Sequence, residues 1–201
     1  MLESDWDTIQ IKDIKGAKKV TEDQKNKTIE HAVNTWQGMG LTDPEIAFGT
    51  TVMGHESAFN PHLKGPSKTE RGLGQFTGDT WKDAVNYYND ERKKPENSHW
   101  PAVDPVKGRD DHDSQIQVMG PWVRNAWNGA GDIVRDPNVK GYDQKQIAYG
   151  KWNQGQNAQA DKVGKYLNDK WHDPNIGGYF EPNYDRAMQG LKIRKQRGGN
   201  Q

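Results

Sequence analysis

The sequence predicts a mainly α, single-domain protein with a small irregular or β-like loop beside a cleft. Three observations predict it. Apolar residues recur at helical spacing through most of the chain, capping signatures precede those runs, and hints of sheet are confined to short pieces between residues 60 and 76. Length agrees, because 201 residues suit one domain. Leu, Ile, Val and Phe supply only 31 of the 201 residues, so the core must draw on eight Trp and seven Tyr. Net charge is zero, whereas compositional disorder pairs low hydrophobicity with high net charge. A folded, Trp-anchored domain with a very polar surface and a wide polar cleft is the expectation.

Residues 1–20 are weakly patterned and read as an N-terminal arm; the domain spans 21–191, and 192–201 form a basic tail. Thr21 with Gln24 makes a capping box, and Ile29, Val33 and Trp36 follow at helical spacing before Gly38 and Gly40 stop the run. Thr42 with Glu45 makes a second box, with Pro44 in the first turn of a helix that reaches Glu56. Gly49 and Gly54 within it imply close packing. Trp81, Ala84, Val85 and Tyr88 define a third helix from near Thr77. Residues 90–112 read as a charged, proline-punctuated loop. Ile116, Met119, Val123 and Trp127 mark a helix that Pro121 is expected to kink. Asp143 with Gln146 opens another through "QIAYGKWNQG"; Ala160, Val163, Leu167 and Trp171 continue the pattern, as do Tyr184, Ala187, Met188 and Leu191.

Balanced charge argues against nucleic acid or an anionic membrane as the main ligand. The one basic cluster, Lys192, Arg194, Lys195 and Arg197, reads as a solvated helix end. Absence of cysteine excludes disulfides and thiolate chemistry. The first residues lack the basic start and apolar run of a signal peptide, and nothing approaches a membrane span.

The chemistry concentrates in "GHESAFNPHLKGPSKTERGLGQFTGDTW", residues 54–81. Glu56 ends a helix, where the negative dipole pole disfavours ionisation, and packing beside Phe59 and Phe76 would add desolvation. A carboxyl held protonated in this way suits general-acid chemistry on a glycosidic oxygen. The order Glu56-Ser57, then Phe59-Asn60-Pro61, then Gly72-Leu73-Gly74-Gln75 resembles the lysozyme-like lytic transglycosylases, the soluble-lytic type that includes goose-type lysozyme. Gly74 stands where that family carries methionine. "IAYGKWNQGQN" is similar to the family's Ala-Tyr-Asn-x-Gly helix, with Trp152-Asn153 in register and Tyr149 one turn earlier; "DHDSQIQVMGPWV" is similar to a third family helix.

The resemblance covers about residues 40–170 and implies a lysozyme-like fold that cleaves the β-1,4 bond between N-acetylmuramic acid and N-acetylglucosamine in peptidoglycan. It implies Glu56 as general acid and then base, with the muramoyl 6-hydroxyl attacking to give a 1,6-anhydro product. Ser57, Gln75, Phe76, Tyr149, Trp152 and Asn153 are the implied substrate-binding set, with either Tyr149 or Trp152 as the cleft aromatic. Ser67 is a candidate for the loop hydroxyl near the 6-hydroxyl.

Two alternatives stay open. A hydrolase needs a second acid, for which Glu70 and Asp79 are the candidates; a silent wall-binding or virion module needs none. No cofactor or metal is expected, because after His55-Glu56 a zinc-protease helix wants histidine at position 59, which is Phe. A wall enzyme without a signal peptide implies a bacteriophage setting, made in the host cytoplasm and reaching periplasmic peptidoglycan as an endolysin or a virion-associated part. The arm and tail are then candidate contacts to other virion proteins.

Overall fold

The structure, a computed structural model, describes residues 20–198; all but the last residue of the expected 1–20 arm lies outside the described residues. Among the described residues there are seven α-helices and no strand. They are α1 (Glu22–Gly38), α2 (Asp43–Ser57), α3 (Gly78–Arg92), α4 (His112–Ile133), α5 (Gln144–Gln154), α6 (Ala160–Lys170) and α7 (Gly177–Gly198). The mainly α reading therefore holds, and the sheet-like pairings among the described residues are isolated bridges of Arg71 with Lys64 and Phe76 inside the 60–76 loop.

Local chemistry explains the helix starts. Thr21 and Gln24 exchange reciprocal backbone–side-chain hydrogen bonds of 3.0 and 3.2 Å at the head of α1. Glu45 accepts from the Thr42 N–H at 2.6 Å at the head of α2, and Asp143 and Gln146 repeat the reciprocal arrangement on α5. Each satisfies donors that the first turn otherwise leaves unpaired. The charged loop between α3 and α4 contains two short 3-10 turns, Pro95–Asn97 and Lys107–Arg109. Where a kink is expected, α4 runs unbroken through Pro121.

Helix α2 is the central element. From Glu45 to Gly54 every residue is buried, and it packs against α1, α4 and α7. Its closest junction is at Trp36, which is 0% exposed and donates its indole N–H to the Ile116 carbonyl of α4 at 2.9 Å. A Cβ on Gly49 would lie 2.6 Å from the Trp36 ring, and one on Gly120 2.8 Å from it, so both glycines are needed for the ring to fit. This is the close packing that Gly49 implied.

The chain end departs from its expected boundary. Helix α7 runs on through Lys192, Arg194, Lys195 and Arg197 to Gly198. Lys195 pairs with Asp43 at 2.8 Å, and Arg194 donates to Asn34. These cations sit on the last turns of α7, as the helix-end reading expects, and fasten them to α1 and the start of α2.

Candidate active site

Glu56 lies in the last turn of α2, with its side chain 19% exposed. The chain leaves that helix through two consecutive residues in the left-handed region, Ala58 (φ 48°) and Phe59 (φ 62°). Such conformations are unfavourable outside glycine and persist only where the surroundings impose them. The next residues impose it. Asn60 Oδ1 accepts from the His62 N–H at 3.0 Å, and the Pro61 carbonyl accepts from Gln115 Nε2 at 3.0 Å. "FNP" is thus the geometry that reverses the chain immediately after the acid.

Gln115 organises the rest of the loop. It is 3% exposed; its Oε1 accepts from the Leu73 N–H at 2.7 Å, and its Nε2 also donates to the Arg109 carbonyl. Gly72 (φ 76°) must be glycine here, since a Cβ would sit 2.4 Å from the Gln115 amide. Gln75 itself adopts φ 47° and donates to the carbonyls of Gly72 (2.8 Å) and Leu63 (3.2 Å).

Side chains of α5, α6 and α7 gather around His55, the residue beside the acid. His55 Nδ1 lies 3.6 Å from Glu56 Oε1 and 2.9 Å from the Tyr149 hydroxyl of α5. His55 Nε2 lies 3.0 Å from the Asn175 carbonyl, just before α7. Burial, and after it the Glu56 carboxylate, holds the Tyr149 phenol well above its usual range. The same two causes push Tyr166 of α6 up to about 12. Both hydroxyls therefore keep their protons at any ordinary pH and remain donors. Tyr179 of α7 packs edge-on to His55, with ring centroids 5.4 Å apart.

Of the two aromatics left open by sequence, Tyr149 is the one whose hydroxyl reaches His55, next to Glu56. Trp152 points elsewhere, 5.4 Å from Phe76 and 6.5 Å from Phe48 between ring centroids. A Cβ on Gly74 would come within 3.1 Å of Trp152 and 3.2 Å of Phe76, so the larger indole occupies space that a methionine at position 74 would need. Asn153 is exposed and donates to the Tyr149 main-chain carbonyl at 3.0 Å.

Other expected contacts move. Ser57 is 1% exposed and donates to the Met53 carbonyl of its own helix, leaving no surface for a sugar. Phe59 turns its ring to Lys25 of α1, and the buried Phe76 packs against Trp81, Trp122 and Trp152. Glu70 is engaged by the Ser67 hydroxyl, which holds its carboxyl below the usual range, ahead of a backbone N–H. That contact occupies Ser67 as well. Asp79 is an exposed first-turn residue of α3. Sequence reasoning weighed His55 as a metal ligand or an ordinary hydrogen-bonded histidine, and passed over Tyr166 and Tyr179. The helical phase that places Tyr166 and Val163 on one side of α6 carries a trace of this, but nothing in the sequence aligns that helix with Glu56.

A groove with a cavity volume of about 870 Å³ opens between α3, α4 and the α5–α6 connection. Tyr87, Trp122, Asn125, Gln154, Gln156 and Asn157 are among its walls. Glu56 is not; the groove begins one residue beyond Asn153, so α5 carries the acid's partner at one end and a groove wall at the other. Among the described residues no group of three or more His, Asp or Glu side chains is arranged to hold a metal ion, and no helix is long and apolar enough to cross a membrane. The chain matches no protein-family model, and no curated protein or solved structure is similar to it.

Tyr149→Phe tests the site directly. Loss of a hydroxyl that contacts His55 beside the acid is expected to lower turnover by about tenfold or more, the scale of one positioned polar group. Stability should fall by only about 0.5–1.5 kcal/mol, one hydrogen bond. Trp152→Tyr, remote from Glu56, should stay active. The reverse ranking in turnover assays would return the cleft role to Trp152.

Proposed function

We propose that the protein is a lysozyme-like lytic transglycosylase that cleaves the N-acetylmuramic acid–β-1,4–N-acetylglucosamine bond of peptidoglycan, with Glu56 as acid and then base. The observation that carries the reading is one partly buried carboxyl at a helix end, backed by a protonated tyrosine and walled by a glycine-bearing loop. Glu56 protonates the leaving oxygen as an oxocarbenium-like centre develops. As a carboxylate it then takes the proton of the muramoyl 6-hydroxyl, which closes the 1,6-anhydro ring.

One carboxyl suffices for that route, whereas a glycosidase that activates water uses a second at about 5–9.5 Å from the first. Glu70 is already committed to Ser67 and Asp79 is an exposed helix-start residue, which supports the one-acid route over hydrolysis. The groove beyond Asn153 has the composition a glycan takes: side-chain amides for hydroxyl and acetamido groups, with Tyr87 and Trp122 as apolar faces. A bacteriophage lysis or virion-associated setting fits an enzyme of this kind, with peptidoglycan as its partner.

Mass spectrometry of digested, purified peptidoglycan tests the reading. Products ending in 1,6-anhydromuramic acid are expected. Reducing ends carrying oxygen from labelled water would establish the hydrolase instead and make Glu70 and Asp79 the next residues to replace; intact glycan would leave a binding module.

A further inference from the structure

His55 is absorbed by neither the metal reading nor the one-acid mechanism, yet it is the side chain placed between the acid and everything behind it. Its two nitrogens face different chemistry. Nε2 is 3.0 Å from the Asn175 carbonyl, a group that can only accept, so Nε2 must carry a proton. In the neutral ring Nδ1 is then a bare acceptor, and the group facing it at 2.9 Å is the Tyr149 hydroxyl, which donates. Tyr149 and Tyr166 are themselves hydrogen-bonded. Both ring nitrogens are satisfied when Nε2–H donates to the Asn175 carbonyl and the Tyr149 O–H donates to Nδ1.

That arrangement has a consequence for Glu56, 3.6 Å from Nδ1. With Tyr149 donating to the ring, neither the ring nor that phenol offers the carboxyl a hydrogen. The groups facing His55 are Glu56 from α2, Tyr149 from α5, Tyr166 from α6 by way of Tyr149, and Tyr179 with the Asn175 carbonyl from α7 and its approach. No charged side chain other than Glu56 is recorded against it among the described residues.

We propose that His55 is a positioning residue for Glu56: as the Nε2–H tautomer, anchored on the Asn175 carbonyl, it holds the Tyr149 hydroxyl on Nδ1 and so fixes the ring and the phenol beside the acid. The role rests on the functional reading above and adds to it the group that sets the acid's surroundings.

Three proteins and two readouts test it. His55→Asn keeps an acceptor oxygen near the Nδ1 position and carries no titrating proton; His55→Phe keeps the ring packing on Tyr149 and Tyr179 but offers no hydrogen bond. Wall turnover should fall by about tenfold or more in His55→Phe at every pH, with His55→Asn restoring most of that loss. Nitrogen-15 NMR of the wild-type ring should show the Nε2–H tautomer. An Nδ1–H tautomer, or His55→Asn no more active than His55→Phe with activity still dependent on Glu56, overturns the positioning role alone. Full activity in Glu56→Gln overturns the functional reading, and the positioning role with it.

Discussion

Glu56→Gln is expected to fold as the wild type does and to lose about 10²–10⁴-fold in wall turnover, the range over which a positioned acid–base group contributes. The amide matches the carboxyl in shape but has no acidic proton to give and no basic form with which to take the 6-hydroxyl proton, so both halves of the proposed reaction fail together. Its environment tolerates the swap: the side chain is only partly buried, and its recorded polar neighbour is a histidine at 3.6 Å, so no tight ion pair is broken. The measurement is release of soluble fragments from purified peptidoglycan alongside a melting curve. Activity within about tenfold of wild type would remove Glu56 from the acid role and favour a wall-binding module.

The largest stability effect is expected at Trp36→Ala. The ring is fully buried between Gly49 of α2 and Gly120 of α4, positions at which no side chain is present to move in and fill the space. Removing it costs about 3–5 kcal/mol in transfer and cavity terms, and it also deprives the Ile116 carbonyl of its indole donor. Against a total of about 5–15 kcal/mol for an ordinary domain, that is enough to unfold a marginal protein. Denaturant titration of Trp36→Ala and Trp36→Phe separates the two contributions: Phe keeps most of the apolar volume and loses the hydrogen bond. A loss below about 1 kcal/mol for Trp36→Ala would mean that the three-helix junction relaxes around the gap.

Helices were legible wherever capping chemistry and periodicity agreed. Thr21–Gln24, Thr42–Glu45 and Asp143–Gln146 each mark a real helix start, because the groups that satisfy the first turn lie within four residues of one another. The end of α7 was less so. Its basic residues look like a solvated tail until Asp43 and Asn34, some 150 residues away in sequence, are placed opposite them. The site divides in the same way. The helix that reaches Glu56 is local and was legible, whereas the left-handed turn at Ala58 and Phe59 that follows it, and the contacts of Ser57, Phe59 and Phe76, depend on packing between elements. Choosing between Tyr149 and Trp152 required the angle at which α5 meets α2. The tautomer of His55 required the Asn175 carbonyl, 120 residues distant, which no residue type advertises.

The Gln115 clamp bears on how a ligand arrives. One buried side chain on α4 ties together Pro61, Leu73 and Arg109, while Gln75 closes Leu63 onto Gly72 from the other side. A segment fastened at that many points has no hinge of its own. It is a fixed jamb and not a swinging door, so on the proposed function a glycan strand would reach Glu56 by sliding along the open flank, and its association should depend on strand length more than on any gating step.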